Sequence, residues 1–283
     1  MSRRSGHRFA DKDMRQRVNL MHPVLVCALV VAATWDAWRW YVARIWAAPE
    51  EAATLVLTVA FLGLLALARA PGLRGPRPMP LVAVAVLLVL YAAGHAVLPP
   101  IMCAALAVAA ALFCLHIALC GERPPIAFWG LVALALPVLP SLQFTLGYPM
   151  RIVSAVLSVG LLQVHGLEVA RQGTFLLWRG ETVQFDAPCS GVNMLWAGLM
   201  LTLMGCVLLR LSAPRVVLAL ALSVALAIAG NVLRAASLFY VEAGRVADAP
   251  GWWHEGIGIA AFGLSSALTL VLLGRLRART VTA

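Results

Sequence analysis

Cys189, Arg234 and His254 are three side chains whose types and settings suit acyl-transfer chemistry, with His165 as a substitute candidate for His254. Cys189 lies in the run Phe185-Asp186-Ala187-Pro188-Cys189-Ser190-Gly191, which closes a short polar segment and opens an apolar stretch from Val192 to Leu209. At a helix start, unsatisfied backbone N–H groups favour the thiolate, the nucleophilic form of cysteine. His254, in Trp252-Trp253-His254-Glu255-Gly256, is of the residue type suited to taking and returning a proton. Arg234, in Gly230-Asn231-Val232-Leu233-Arg234, offers a fixed cation to the oxyanion of a tetrahedral intermediate. Asn231 stands three residues before Arg234 and shares its helix face, while Ser190 and Gly191 shape the helix start, so all three are supporting candidates. Each residue also has a plain reading. Cysteine packs as a small hydrophobe, arginine snorkels to an interface, histidine anchors there, and serine caps helices. Ser190 beside Gly191 is also a candidate serine nucleophile, with the cap reading favoured.

The elements that must position these residues are membrane helices. Of 283 residues, 62% are hydrophobic and only 12% charged, about half the charged share of soluble domains. The apolar residues fall in blocks of about 20, the length that crosses a bilayer. The expected fold is an all-α polytopic membrane protein with about eight transmembrane helices, near 22–42, 52–69, 81–98, 101–119, 125–143, 191–210, 216–240 and 255–274. The net charge of +10 gathers in a few loops and at both termini. It lacks the basic stripe with interleaved aromatics that nucleic acid requires, so the bilayer is the expected partner and nucleic acid is not. Six cysteines show no CxxC pair and no metal spacing with histidine, which argues against a metal site or a disulfide framework. The basic segment 1–20, followed by an apolar run without a small-residue cleavage site, reads as an uncleaved cytoplasmic signal anchor.

Loop charge sets the expected orientation. Arg69, Arg74 and Arg77, then Arg123, then Arg210 and Arg215, then Arg275, Arg277 and Arg279 fall on one side if both termini are cytoplasmic. The stretches 43–51, 99–100, 144–190 and 241–254 then lie outside. Trp35, Trp38, Trp40 and Trp46 make an aromatic belt at the outer end of the first span, where Asp36 and Arg39 pair at i,i+3. Residues 148–167 are nearly apolar enough to cross but carry Arg151, Ser154, Ser158 and His165 at helical spacing. A crossing there would turn Arg210, Arg215 and the three C-terminal arginines outward, so the segment is expected as an extracytoplasmic interfacial helix or one lining a polar cavity. A small β-hairpin then brings the chain to Cys189: Gly173 to Trp178, a turn at Arg179-Gly180-Glu181, and Thr182 to Asp186. The organisation is a basic N-terminus at 1–20, an N-terminal transmembrane region at 21–143, a catalytic core at 144–275 and a basic tail at 276–283. Arg234 stands about 9 Å below the outer end of its helix, at 1.5 Å per residue to Tyr240. Cys189, Arg234 and His254 come from three spans yet meet one side at similar depth.

On these residues the chain resembles the exosortase/archaeosortase family of membrane transpeptidases. The matching motifs are Ala187-Pro188-Cys189-Ser190-Gly191 before a long helix, Asn231-Val232-Leu233-Arg234, and His254 opening a helix with Gly258, Phe262 and Gly263. The helix from about Pro149, Gly166 and the Gly173 hairpin match in layout, so the resemblance covers roughly 135–275. Pro188 departs from the family's usual residue before the cysteine. The resemblance implies exported protein substrates ending in a short signature such as Pro-Glu-Pro, a transmembrane helix and a basic cytoplasmic tail. It implies cleavage through a thioester on Cys189 and transfer to an amine acceptor of unspecified identity. Arg234 is then the oxyanion or substrate-positioning group and His254 the acid and base. The implied location is the bacterial cytoplasmic (inner) membrane, with no cofactor needed. The competing readings are an intramembrane protease that only hydrolyses, a transporter with Asn231, Arg234, His95 and Asp36 along a pathway, and an assembly scaffold. A transporter would hold its polar groups near the midplane; here they gather at one face.

Overall fold

A computed structural model describes residues 23–47, 56–58, 60–65, 78–120, 124–184, 190–246, 250 and 252–278. The helices are α1 (Pro23–Ala33), α2 (Trp35–Ala47), α3 (Pro78–Gly94), α4 (Pro100–Cys120), α5 (Ile126–Ala135), α6 (Leu139–Val164), α7 (Val192–Leu209), α8 (Ala213–Glu242) and α9 (Trp253–Ala278). Between α6 and α7 lies a three-stranded antiparallel sheet, β1 (Ala170–Gln172), β2 (Phe175–Trp178) and β3 (Glu181–Gln184), in the order β1-β2-β3. Five helices are long and apolar enough to cross a membrane: Pro100–Ala118, Leu139–Val164, Val192–Leu209, Ala213–Glu242 and Trp253–Arg277. The chain is thus an all-α polytopic membrane protein with a small sheet.

The chain divides into two compact units, one formed by 1–125 with 135–137 and the other by 126–134 with 138–283. In the first unit, α1 and α2 take the place of a single expected span at 22–42. Thr34 interrupts them, its hydroxyl donating to the Val30 carbonyl at 2.8 Å while Trp38 donates its indole N–H to the same hydroxyl at 3.0 Å. Val26, Val30, Val84, Ala110, Phe113 and Ile117 form a core among α1, α3 and α4, and the Cys27 and Cys114 sulfurs meet there at 3.3 Å. Cys103, Cys114 and Cys206 are buried among apolar groups, as small hydrophobes are. Asp36 lies 3.8 Å from Arg39, the expected pairing, and equally 3.8 Å from His95.

The second unit carries the residues with chemistry, and here one expected span is corrected. The apolar run 125–143 is not one helix. It breaks after Ala135, because Pro137 has no N–H to continue the ladder and Pro140 sits in the first turn of the next helix. The expected separate helix from about 148 is likewise corrected: residues 148–164 are the second half of α6, one 26-residue helix from Leu139 that carries Pro149 in its interior. With its N-terminal half included, the helix is long and apolar enough to cross a membrane, whereas 148–167 alone is expected not to cross.

Contacts fix the direction of each helix. Ser154 meets Asn231, Ser158 meets Val232 and His165 meets Tyr240, so α6 runs parallel to α8. Gly191 packs on Asn231 and Gly198 on Ser223, so α7 runs antiparallel to α8. Ser265 bonds the Leu226 carbonyl and Gly258 meets Arg234, so α9 is antiparallel as well. The ends of α6 and α8 and the start of α9 therefore share one end of the unit. Arg210, Arg215, Arg275 and Arg277 stand at the other.

The expected hairpin is present, with β1 as a third strand. Trp178 faces Glu181 across a two-residue loop in which Arg179 and Gly180 have φ of 50° and 85°. Two consecutive left-handed residues give the turn whose twist matches paired strands, and glycine takes that conformation without strain. The sheet packs through Leu176 and Val183 onto Leu162, Leu167, Ala235 and Phe239, which fixes it against the shared end of α6 and α8.

Candidate active site

The site is built where α6, α7, α8 and α9 converge. Cys189 and the rest of 185–189 lie outside the described residues; description begins at Ser190. Ser190 is 2% exposed. Its hydroxyl donates to Gln143 Oε1 at 3.3 Å and accepts from the Val192 backbone N–H at 3.4 Å. That local bond from a side chain to the N–H two residues on forms a turn just ahead of the helix, whose cap is Gly191 rather than Ser190. Gln143 also donates from Nε2 to Asn193 Oδ1 at 2.8 Å, so one amide on α6 ties down both Ser190 and the first turn of α7.

Gly191 has φ of 77° and is the cap of α7. A Cβ there would lie 2.6 Å from Asn231 Cγ and 2.8 Å from Asn231 Nδ2. Both facts demand glycine: the backbone is left-handed, and the Asn231 side chain occupies the space a methyl would need. Asn231 is 1% exposed and donates from Nδ2 to Ser154 Oγ at 2.8 Å. One helical turn further along α6, the buried Ser158 hydroxyl donates to the Val232 carbonyl at 3.4 Å. Two of the four members of the expected polar stripe are therefore not turned to water. They satisfy the buried polar face of α8, as polar groups in a low-dielectric interior must.

Arg234, partly buried, reaches across to α9. A Cβ on Gly258 would come within 3.3 Å of Arg234 Nε and 3.7 Å of its Cζ, so the absence of a side chain at 258 gives the guanidinium its seat. His254 is exposed at the start of α9. It precedes Gly258 by four residues and so stands one turn away on the same face. The structure thus brings Ser190, Gly191 and Asn231 together, and Arg234 onto the helix face of His254. Nearby, His165 Nδ1 and the Tyr240 hydroxyl are hydrogen-bonded at 3.1 Å, where α6 and α8 end. Among the described residues no cluster of three or more His, Cys, Asp or Glu side chains is placed to hold a metal ion.

Sequence reasoning missed Gln143. Its one signal was a lone amide in an apolar run, hidden because that run was divided in the wrong place. It also missed that Ser154 partners Asn231; both residues were noted, but only tertiary contact pairs them.

The architecture defines a class: a multi-pass helical membrane protein whose C-terminal helical unit holds a polar cluster at the start of α7, which a small sheet precedes in the chain. Residues 46–271 match the family described as Transmembrane exosortase, and the chain belongs to that family. Its members are membrane transpeptidases that act in protein sorting. No curated protein and no solved structure matches the chain.

Proposed function

We propose that this exosortase is a cysteine transpeptidase that cuts the C-terminal sorting tail of exported proteins and passes the freed chain to an amine. The observation that carries the reading is the pair of close approaches made by α8. Asn231 fixes Gly191, two residues after Cys189, and Arg234 lies on Gly258, one turn from His254. Cys189 is bonded directly to Ser190, so the thiol is tethered to the element that α8 holds.

The chemistry follows from these groups. The Cys189 thiolate attacks the scissile carbonyl carbon, and the carbonyl π pair moves to oxygen. Arg234 stabilises that oxyanion. The C–N bond breaks as protonated His254 gives its proton to the departing amine, which leaves a thioester on Cys189. An acceptor amine then attacks the thioester, His254 takes its proton, and the thiolate leaves. Ser190 is a supporting group rather than the nucleophile, since its hydroxyl is already engaged with Gln143 and Val192. Asn231 and Gly191 position the helix start.

The substrate tail of signature, transmembrane helix and basic cytoplasmic end holds its scissile bond at the outer membrane face. The site faces that side of the bacterial inner membrane, because Arg210, Arg215, Arg275 and Arg277 gather at the other end of the unit. Incubating membranes with a tagged tail-bearing substrate tests the reading. Wild-type protein should form a hydroxylamine-sensitive adduct at Cys189 and release processed substrate, and Cys189→Ala should do neither. Processing that survives Cys189→Ala would overturn it.

A further inference from the structure

Trp178 closes β2, and two guanidinium groups lie against its ring: Arg179 at 5.0 Å from the centroid and Arg245 at 4.9 Å. Arg179 is in the hairpin turn, with φ of 50°, a conformation that side-chain-bearing residues rarely take. Arg245 follows α8, with its backbone N–H bonded to the Tyr240 carbonyl at 3.0 Å. The indole is fixed in turn, edge to face with Phe239 at 5.9 Å; Phe239 is fully buried. Ile257, beside the Gly258 on which Arg234 rests, packs against the same cluster. The arrangement therefore stands at the site's end of the unit.

Two like charges on one ring repel each other, and a cation–π contact uses none of a guanidinium's N–H donors in a hydrogen bond. Both arginines are exposed, and among the described residues neither guanidinium makes a hydrogen bond or an ion pair. Arg171, also in the sheet, differs: it donates to the Gly173 carbonyl at 2.8 Å. On the outer side of a membrane protein, arginine is the residue that topology disfavours, so these two are not explained as an orientation signal. We propose that Arg179 and Arg245, both held against Trp178, form a subsite for a carboxylate side chain of the polypeptide substrate. This rests on the transpeptidase reading of the neighbouring site. A planar fork oriented by an aromatic face matches a carboxylate with two parallel hydrogen bonds, and prior orientation lowers the ordering cost of binding.

The test uses full-length protein in membranes and two tagged tail-bearing substrates. They differ by a single Glu or Gln in the segment preceding the substrate's transmembrane helix. Wild-type protein should process the Glu substrate with a kcat/KM about tenfold higher, the scale of one charge-assisted hydrogen bond. Arg179→Gln and Arg245→Gln should each erase most of that preference while leaving the Gln substrate unaffected, and Arg245→Lys should retain part of it. A preference unchanged in the variants, or an equal loss on both substrates, overturns the subsite. So does a rate that follows the phosphatidylglycerol content of reconstituted vesicles and ignores the Glu, which would assign the pair to lipid headgroups. Processing that needs Cys189 but ignores the Glu sinks the subsite alone, whereas processing that survives Cys189→Ala sinks the reading beneath it. Binding of a fluorescent acidic peptide to the Cys189→Ala protein, measured by anisotropy with and without Arg245→Gln, reads the subsite independently of turnover. Equal binding by both would count against it.

Discussion

Gly191 carries two constraints at once, a left-handed backbone and contact with Asn231. Gly191→Ala should destabilise the protein by at least about 1 kcal/mol from backbone strain alone. The displaced Asn231 should lower processing further. Thermal unfolding in detergent and processing of a tail-bearing substrate measure the two effects, and a variant as stable and active as wild type would refute the packing argument. Arg234 tests the chemistry. On the proposed oxyanion role, Arg234→Ala should lower kcat about a hundredfold or more, with KM much less changed. A rise in KM alone would instead make Arg234 a substrate-binding group. Cys189, singled out from its sequence setting, is the residue on which the proposed mechanism turns.

At the scale of elements, α6 is the support that the sequence divided wrongly. Through Gln143 it holds Ser190 and Asn193, and through Ser154 it holds Asn231. The coupling between α6 and α8 is measurable. Ser154→Ala leaves the buried Asn231 amide short of an acceptor and should cost about 1–3 kcal/mol. A double-mutant cycle of Ser154→Ala with Asn231→Ala should return an interaction energy of about 0.5 kcal/mol or more, as expected for groups in contact. Strict additivity would remove α6 from the site. The periodicity of Ser154 and Ser158 was visible in the sequence, and an outward polar face and a face buried on another polar helix have the same pattern. Only the partner distinguishes them.

At the scale of the whole molecule, the parallel run of α6 and α8 bears on topology. A helix long and apolar enough to cross, and parallel to α8, can stand in for the span that the sequence assigned to 125–143. If α6 crosses, the parity of the later crossings matches the one expected from loop charge. A reporter placed near Arg171 should read as extracytoplasmic and one after Arg277 as cytoplasmic. A cytoplasmic signal near Arg171 would reverse the orientation proposed for the site.

The sequence by itself determined the membrane class, the later helices α7, α8 and α9, and the hairpin ahead of Cys189. Each of these rests on local signals: apolar runs of spanning length, turn residues and loop charge. Tertiary structure alone decided where α6 begins, that Gln143 joins the site, that Asn231 is answered by Ser154, and that Arg234 rests on Gly258. Those facts depend on which surfaces meet. A buried amide or guanidinium is satisfied by groups distant in the chain, and hydropathy along the chain does not encode their pairing.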